Sequence, residues 1–144
     1  MTVIVTGATS FIGRAVVKAL LEEGCRVVAV SRPASAGAGK LQELFEDLKK
    51  QAGAEKKVFG SLELCFCELG EIEKLEKIYK KEELQAKAWL HLGWDGAGSD
   101  KRKDVKLQEK NIGYALQSLH TAAALGCKRF LFSGSQAEYG ICNE

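Results

Sequence analysis

The sequence predicts a doubly wound α/β domain on one parallel sheet with strand order 3-2-1-4-5. Three observations predict it. Short β-branched or apolar runs alternate with stripes of apolar residues at helical spacing along the whole chain. The first run ends in a glycine turn that opens directly into a helix, and the second, Arg26 to Val30, is the continuous apolar kind buried on both faces of a parallel sheet.

The elements follow in order. Thr2 to Thr6 is the first strand, and Phe11, Ile12, Ala15, Val16, Ala19 and Leu20 mark the first helix, which Gly24 ends. After the second strand, Pro33 to Gly39 reads as a flexible loop, and Leu41, Leu44, Phe45 and Leu48 carry the i, i+3, i+4, i+7 spacing of an amphipathic helix. Leu62 to Cys67 is the third strand. Ile72, Leu75, Ile78 and Tyr79 form the third helical stripe, and Ala88 to Leu92 the fourth strand. Val105, Ile112, Leu116, Leu119 and Ala123 predict a long fourth helix that stops at Gly126, and Phe130 to Ser133 is the fifth strand. Right-handed crossovers leave little but helices on both faces of the sheet, with ligands at the point where strand order reverses. The sheet is expected to stop short of a sixth strand.

Composition narrows the function. With 144 residues and 46% hydrophobic content, one domain over 1–144 can build its own core. A net charge of +2 from nearly balanced charges is not the footprint of a nucleic-acid binder. The cysteines at 25, 65, 67, 127 and 142 form no C-x-x-C pair and have no neighbouring histidine spacing, so neither a disulfide framework nor a metal site is expected. No apolar run reaches membrane-spanning length and no basic leader opens the chain, which predicts a soluble cytoplasmic protein.

The turn Thr6-Gly7-Ala8-Thr9-Ser10-Phe11-Ile12-Gly13 has the chemistry of a dinucleotide loop. Gly7 permits a tight turn, Gly13 lets helix and strand pack closely, and the free N–H groups of the helix start face an anion. Ser10 stands where a third glycine would be expected. It adds a Cβ beside the phosphates and a hydroxyl that can donate to them. Thr9, Ser10, Phe11 and Ile12 join the two glycines as candidate cofactor contacts. The second strand ends in Val30-Ser31-Arg32, without the acid that would take the ribose 2′-hydroxyl of NAD. Arg32 and Ser31 can instead bind a 2′-phosphate, which favours NADP and leaves NAD as the alternative.

Five elements in order resemble the extended short-chain dehydrogenase/reductase (NAD-dependent epimerase/dehydratase) family: the glycine turn, Cys67-Glu68-Leu69, His91-Leu92-Gly93-Trp94, Asn111-Ile112-Gly113, and Phe132-Ser133-Gly134-Ser135 running on to Tyr139-Gly140. The resemblance covers essentially the whole chain. It implies that Glu68 and Leu69 lie at the adenine, although Glu68 reads equally as an acid favoured at a helix start. It implies that Leu92, Gly93 and Trp94 lie along the nicotinamide, with Trp94 a lid or a surface aromatic and His91 a packed strand residue. Ser133 would stand beside the nicotinamide, Ser135 would be the catalytic serine, and Asn111 would help organise proton relay. Asn111 and Gly113 in mid-helix also suggest a local distortion.

The family's Tyr-x-x-x-Lys pair has no counterpart, since Tyr79, Tyr114 and Tyr139 are followed four residues on by Glu83, Ser118 and Asn143. The resemblance therefore implies the cofactor-binding part of an NAD(P)-dependent enzyme, oxidoreductase, epimerase or dehydratase, acting on a sugar-like or other secondary alcohol. The C-terminal substrate lobe would lie outside the chain, which would be inactive alone. A non-catalytic NADP sensor is the alternative, and a flavin-binding reductase the weaker third reading. The expected partners are a small-molecule substrate and a second copy through the fourth helix, with neither nucleic acid nor membrane.

Overall fold

Five parallel strands fix where the two halves of the fold diverge. The computed structural model describes residues 1–33, 35–96 and 100–134. Its strands are β1 (Thr2–Thr6), β2 (Arg26–Ser31), β3 (Ser61–Phe66), β4 (Ala86–His91) and β5 (Arg129–Phe132), in the order β3-β2-β1-β4-β5. Every neighbouring pair is parallel. Parallel neighbours need a crossover, and four helices supply them: α1 (Phe11–Glu22), α2 (Gly37–Glu55), α3 (Lys74–Lys81) and α4 (Val105–Ala124). Connections leave β1 toward β2 on one side and reach β4 on the other, so the C-terminal ends of β1 and β4 form the switch point.

Alternation along each strand divides the core in two. Val3, Val5, Val27 and Ala29 face Val17 and Leu21 of α1 and Leu41 of α2. Ile4, Val28, Val30 and Trp89 face Leu75 and Tyr79 of α3 and Ala122 of α4. Each large side chain buried this way contributes about 1.5–3 kcal/mol. Tyr79, part of the expected apolar stripe, is buried with its hydroxyl donating to Glu63 Oε1 at 2.7 Å. Among the described residues no helix is long and apolar enough to cross a membrane.

Several boundaries depart from the sequence reading. The fourth strand begins at Ala86 and hydrogen-bonds as a strand through His91, two residues earlier than expected at its start, because Ala86 pairs with Thr2. The fifth begins at Arg129 opposite Ala88. The loop expected over 33–39 is helical from Gly37, where the chain lies so close to Thr9 that a Cβ on Gly37 would stand 2.7 Å from its carbonyl oxygen. That tertiary approach requires glycine at position 37 and is invisible in helix propensity, which the two glycines of this first turn lower. No distortion of α4 accompanies Asn111 and Gly113, for the helix is continuous from Val105 to Ala124.

The glycines separate cleanly by what a methyl group would meet. At Gly60, which the sequence reading did not single out, it would collide with the Cys25 carbonyl oxygen where the β3 lead-in crosses the β2 lead-in. At Gly113 it would meet nothing within 4 Å. Gly60→Ala is therefore expected to cost about 1–3 kcal/mol by overpacking, whereas Gly113→Ala gains about 0.5–1 kcal/mol by restricting the unfolded chain and favouring helix. Urea unfolding of the two variants against the parent checks both signs.

Candidate functional site

At the switch point the β1–α1 turn meets the end of β4. Gly7 has φ of +70°, and a Cβ there would stand 2.7 Å from Gly93 N and from the Leu92 carbonyl group. Gly13 seals the other side: its Cβ would collide with the Gly7 carbonyl oxygen. These contacts open a cleft of about 350 Å³ lined along the sheet by Gly7, Thr9, Ser10, Ser31, Leu92 and Gly93. Leu69 closes over Gly93, with its Cδ2 2.9 Å from where a Cβ would sit.

Ser10 needs no glycine's freedom. Its φ of −67° and ψ of 170° are ordinary extended values, and its Oγ accepts from Gly13 N at 2.9 Å, which makes it the N-cap of α1. One first-turn donor is thus satisfied internally. Phe11 and Ile12, one and two residues into the helix, keep N–H groups with no acceptor inside it. Their side chains are 84% and 57% exposed and do not line the cleft, so only their backbone can serve an anion there.

At the other end, Ser31 is buried and its Oγ has no hydrogen-bond partner, while lining the cleft. Arg32 lies beside it with its side chain exposed, and Ser35 and Thr9 share a hydroxyl–hydroxyl bond of 2.8 Å. Ser35 was hidden inside a stretch of small residues that read as a loop. The start of α2 reaches Thr9 at Gly37, so a second helix N-terminus stands near this rim. The turn is braced from outside by Arg14, which donates to the Thr9 carbonyl at 2.7 Å. An orphaned buried hydroxyl, an arginine and a cradle that a Cβ would fill fit a dinucleotide.

The third segment of the cleft is Leu92-Gly93-Trp94, with Asp95 beyond it. Asn111 lies buried and clamps the backbone of Asp95 both ways, accepting from its N–H at 2.9 Å and donating to its carbonyl at 2.8 Å. The residue expected in a proton relay therefore shapes the loop after β4. Its amide nitrogen also donates to the Gln108 side-chain oxygen at 3.3 Å.

Other expected residues fall away from the cleft. Glu68 is exposed and makes no cap hydrogen bond to the short 3₁₀ turn Leu69–Glu71, so the helix-start alternative is not realised through its side chain. Ser133 donates its backbone N–H to the His91 carbonyl at 3.1 Å and does not line the cleft. Ser135 lies outside the described residues. Cys67 lines the cleft as a buried thiol whose Sγ lies 3.4 Å from the carbonyl oxygens of both Glu68 and Glu71. Burial pushes its pKa up to about 11, so the thiol stays neutral.

His91 is 1% exposed, shares a 2.9 Å hydrogen bond with Thr6 Oγ1 through Nδ1, and stacks against Phe130 and Phe132. Burial lowers its pKa to about 4, which keeps the ring neutral and removes it from acid–base duty near pH 7.

What fold and cleft define together is an NAD(P)-binding domain of the Rossmann type. The chain belongs to the NAD-dependent epimerase/dehydratase family, whose model matches residues 3–144. It is 31% identical over 140 residues to a UDP-glucose 4-epimerase of Arabidopsis thaliana, covering 96% of this chain and 37% of that protein. It is 31% identical over 141 residues to a dTDP-6-deoxy-L-talose 4-dehydrogenase (NAD(+)) of Aggregatibacter actinomycetemcomitans, covering 97% and 43%. Among solved structures, the UDP-glucose 4-epimerase of Stenotrophomonas maltophila with bound NAD and formylated UDP-arabinopyranose superposes with a TM-score of 0.75 at 19% identity, over 100% of this chain and 40% of that one. The chain thus spans about two-fifths of the length of such relatives.

Two outcomes follow from this geometry. Ser10→Gly is expected to cost only a few tenths of a kcal/mol and Ser10→Ala about 1 kcal/mol in urea unfolding, since glycine is a tolerated N-cap and alanine is not. Dinucleotide binding should survive Ser10→Gly; a loss beyond about tenfold, or 1.4 kcal/mol, would make the hydroxyl a phosphate donor. For His91, the unfolded imidazole takes a proton near pH 6.5 that the folded one refuses until about pH 4. Relative to His91→Phe, the parent is therefore expected to lose up to about 3 kcal/mol of stability as pH falls across that window, with a constant difference above it. Paired unfolding curves from pH 8 to pH 4 check the sign.

Proposed function

We propose that this chain is the cofactor-binding part of an NAD(P)-dependent oxidoreductase, epimerase or dehydratase that acts on a secondary alcohol of a sugar-like substrate, and that it takes NADP in preference to NAD. The observation that carries the cofactor reading is Ser31, whose buried Oγ lines the cleft without a hydrogen-bond partner beside Arg32. A 2′-phosphate would accept from both, with the Thr9–Ser35 hydroxyl pair and the start of α2 close by. No acid lines this end; Asp95, at the Trp94 end, is the only acidic residue among the described lining residues. The preference separates this chain from the NAD-bound Stenotrophomonas structure and the NAD(+)-dependent dehydrogenase. The sensor alternative gains nothing from relatives named as epimerases, a dehydrogenase and a reductase.

A nicotinamide held in this cleft would supply hydride exchange between its C4 and the alcohol carbon. The chain's own residues do the holding. Phe11 and Ile12 offer backbone N–H groups to the pyrophosphate, and Gly93 admits the nicotinamide against the end of β4. Ser135 is assigned the hydrogen bond to the reacting oxygen. The 144 residues hold no Tyr-x-x-x-Lys pair, the group that would take the alcohol proton, and the chain is proposed to bind cofactor without turning it over by itself. A second copy is proposed to pack on α4, where Ile112, Leu116 and Leu119 are exposed, and the cytoplasm is the proposed compartment.

The expected outcome is tighter binding of NADPH than NADH in fluorescence titrations at moderate salt. Arg32→Ala should remove most of that difference while leaving NADH affinity nearly unchanged, because a hydrogen bond to a charged group is worth about 1.5–3 kcal/mol. Equal affinities for the two nucleotides in the parent protein would overturn the NADP assignment.

A further inference from the structure

The side chain that organises the open end of the cleft is one to which no role has been given. Gln108, on the first turn of α4, accepts from Trp94 Nε1 at 2.8 Å and from Asn111 Nδ2 at 3.3 Å, and donates from its own Nε2 to the Lys101 carbonyl at 3.0 Å. Trp94 lines the cleft, and its ring meets Phe132 edge-on with centroids 5.9 Å apart. The loop around it is pinned at further points: Asn111 grips Asp95, and Gly96, at φ of +69°, lies so close to Leu107 that a Cβ would collide with its Cδ2. An indole held at its nitrogen and at its edge cannot swing freely. Of the two readings open for Trp94, lid or surface aromatic, its 38% exposure agrees with the second, and the ring is tied down on two sides.

We propose that Gln108 is a positioning residue that latches the Trp94 indole as a fixed wall of the cleft, so that the cleft's open end is preformed for its ligand. The proposal rests, for the identity of that ligand, on the dinucleotide reading above. It acts through pre-organisation: a wall already in place spares the ordering cost that a free side chain would impose on binding. Because the Gln108 carbonyl oxygen serves both the indole and Asn111, losing it also loosens the segment that Asn111 clamps.

The chain offers a direct readout. Trp89 is fully buried, so Trp94, 38% exposed, dominates quenching by acrylamide, and a Trp94→Phe variant identifies its share of the emission. In Gln108→Leu, of similar length but unable to hydrogen-bond, the Trp94 emission is expected to shift to the red and to be quenched more by acrylamide in the absence of any nucleotide. NADPH affinity should fall about three- to tenfold, the scale of one net hydrogen bond. Gln108→Glu, which still accepts from Trp94 and Asn111 but cannot donate to Lys101, should recover most of both properties, and it carries the test should Gln108→Leu fail to fold. Unchanged quenching in Gln108→Leu overturns the latch. Raised quenching with unchanged NADPH affinity overturns its part in binding. If the parent binds neither NADPH nor NADH, the dinucleotide reading falls and Gln108's part in binding with it, while quenching still decides whether the indole is latched.

Discussion

A close approach of backbone to backbone, between the β1–α1 turn and the end of β4, is what the cleft depends on. A Cβ on Gly7 would intrude on Gly93, one on Gly93 would meet the Leu69 side chain, and Gly13 packs on the Gly7 carbonyl oxygen. Were these strands spread by the width of a methyl group, α1 could not lean on the sheet at Val17 and Leu21, and its first turn would point elsewhere. The cleft exists because three side chains are missing. That makes its floor of peptide groups, which are rigid, and leaves the side chains around it to discriminate.

Those side chains divide along the cleft by charge. Toward β2 the rim offers donors and a cation, namely Ser31, Ser35, Thr9 and Arg32, with helix N-termini from both α1 and α2 nearby. Toward α4 it offers Trp94 and Asp95. Anionic groups are favoured along the first stretch by donors and dipoles together, whereas the Asp95 carboxylate at the second disfavours negative charge. An elongated ligand that is anionic over one part and aromatic at its end would lie in one direction only. His91 and Cys67, both near this floor, are held neutral by burial, so neither adds charge that would blur the polarity.

Sequence pattern carried the fold far because each strand and helix is specified locally. The continuous run Arg26 to Val30 and the stripe Leu41, Leu44, Phe45 and Leu48 leave few arrangements, and the glycine turn places the switch point. Boundaries escaped where distant backbone bears on them: Ala86 joins a strand because Thr2 offers a partner, and the start of α2 at Gly37 lies against Thr9. Gly60 escaped for the same reason, its neighbour Cys25 being thirty-five positions away. In the site, residues defined by backbone geometry, such as Gly7, Gly13 and Gly93, were legible from a motif. Those defined by a side-chain partner, Ser35 with Thr9 and Gln108 with Trp94, were not, since nothing in their spacing names the partner.

Asn111 shows how one helix serves both purposes. An asparagine in mid-helix is a poor former, at a cost of roughly half a kcal/mol against alanine, and on sequence it suggested a bend that is absent. Its two bonds to the backbone of Asp95 are each worth about 0.5–1.5 kcal/mol net. The exchange favours asparagine without any bend. Farther along, Ser118, Thr121 and Ala122 are the buried positions of α4, small enough for the helix to sit close on Trp89 and Ile4. The first half of α4 thus supports the cleft while the second half supports the sheet, and the helix must be straight to do both. A kink would keep one contact at the expense of the other, which is why the helix stays regular through its two weakest helix formers.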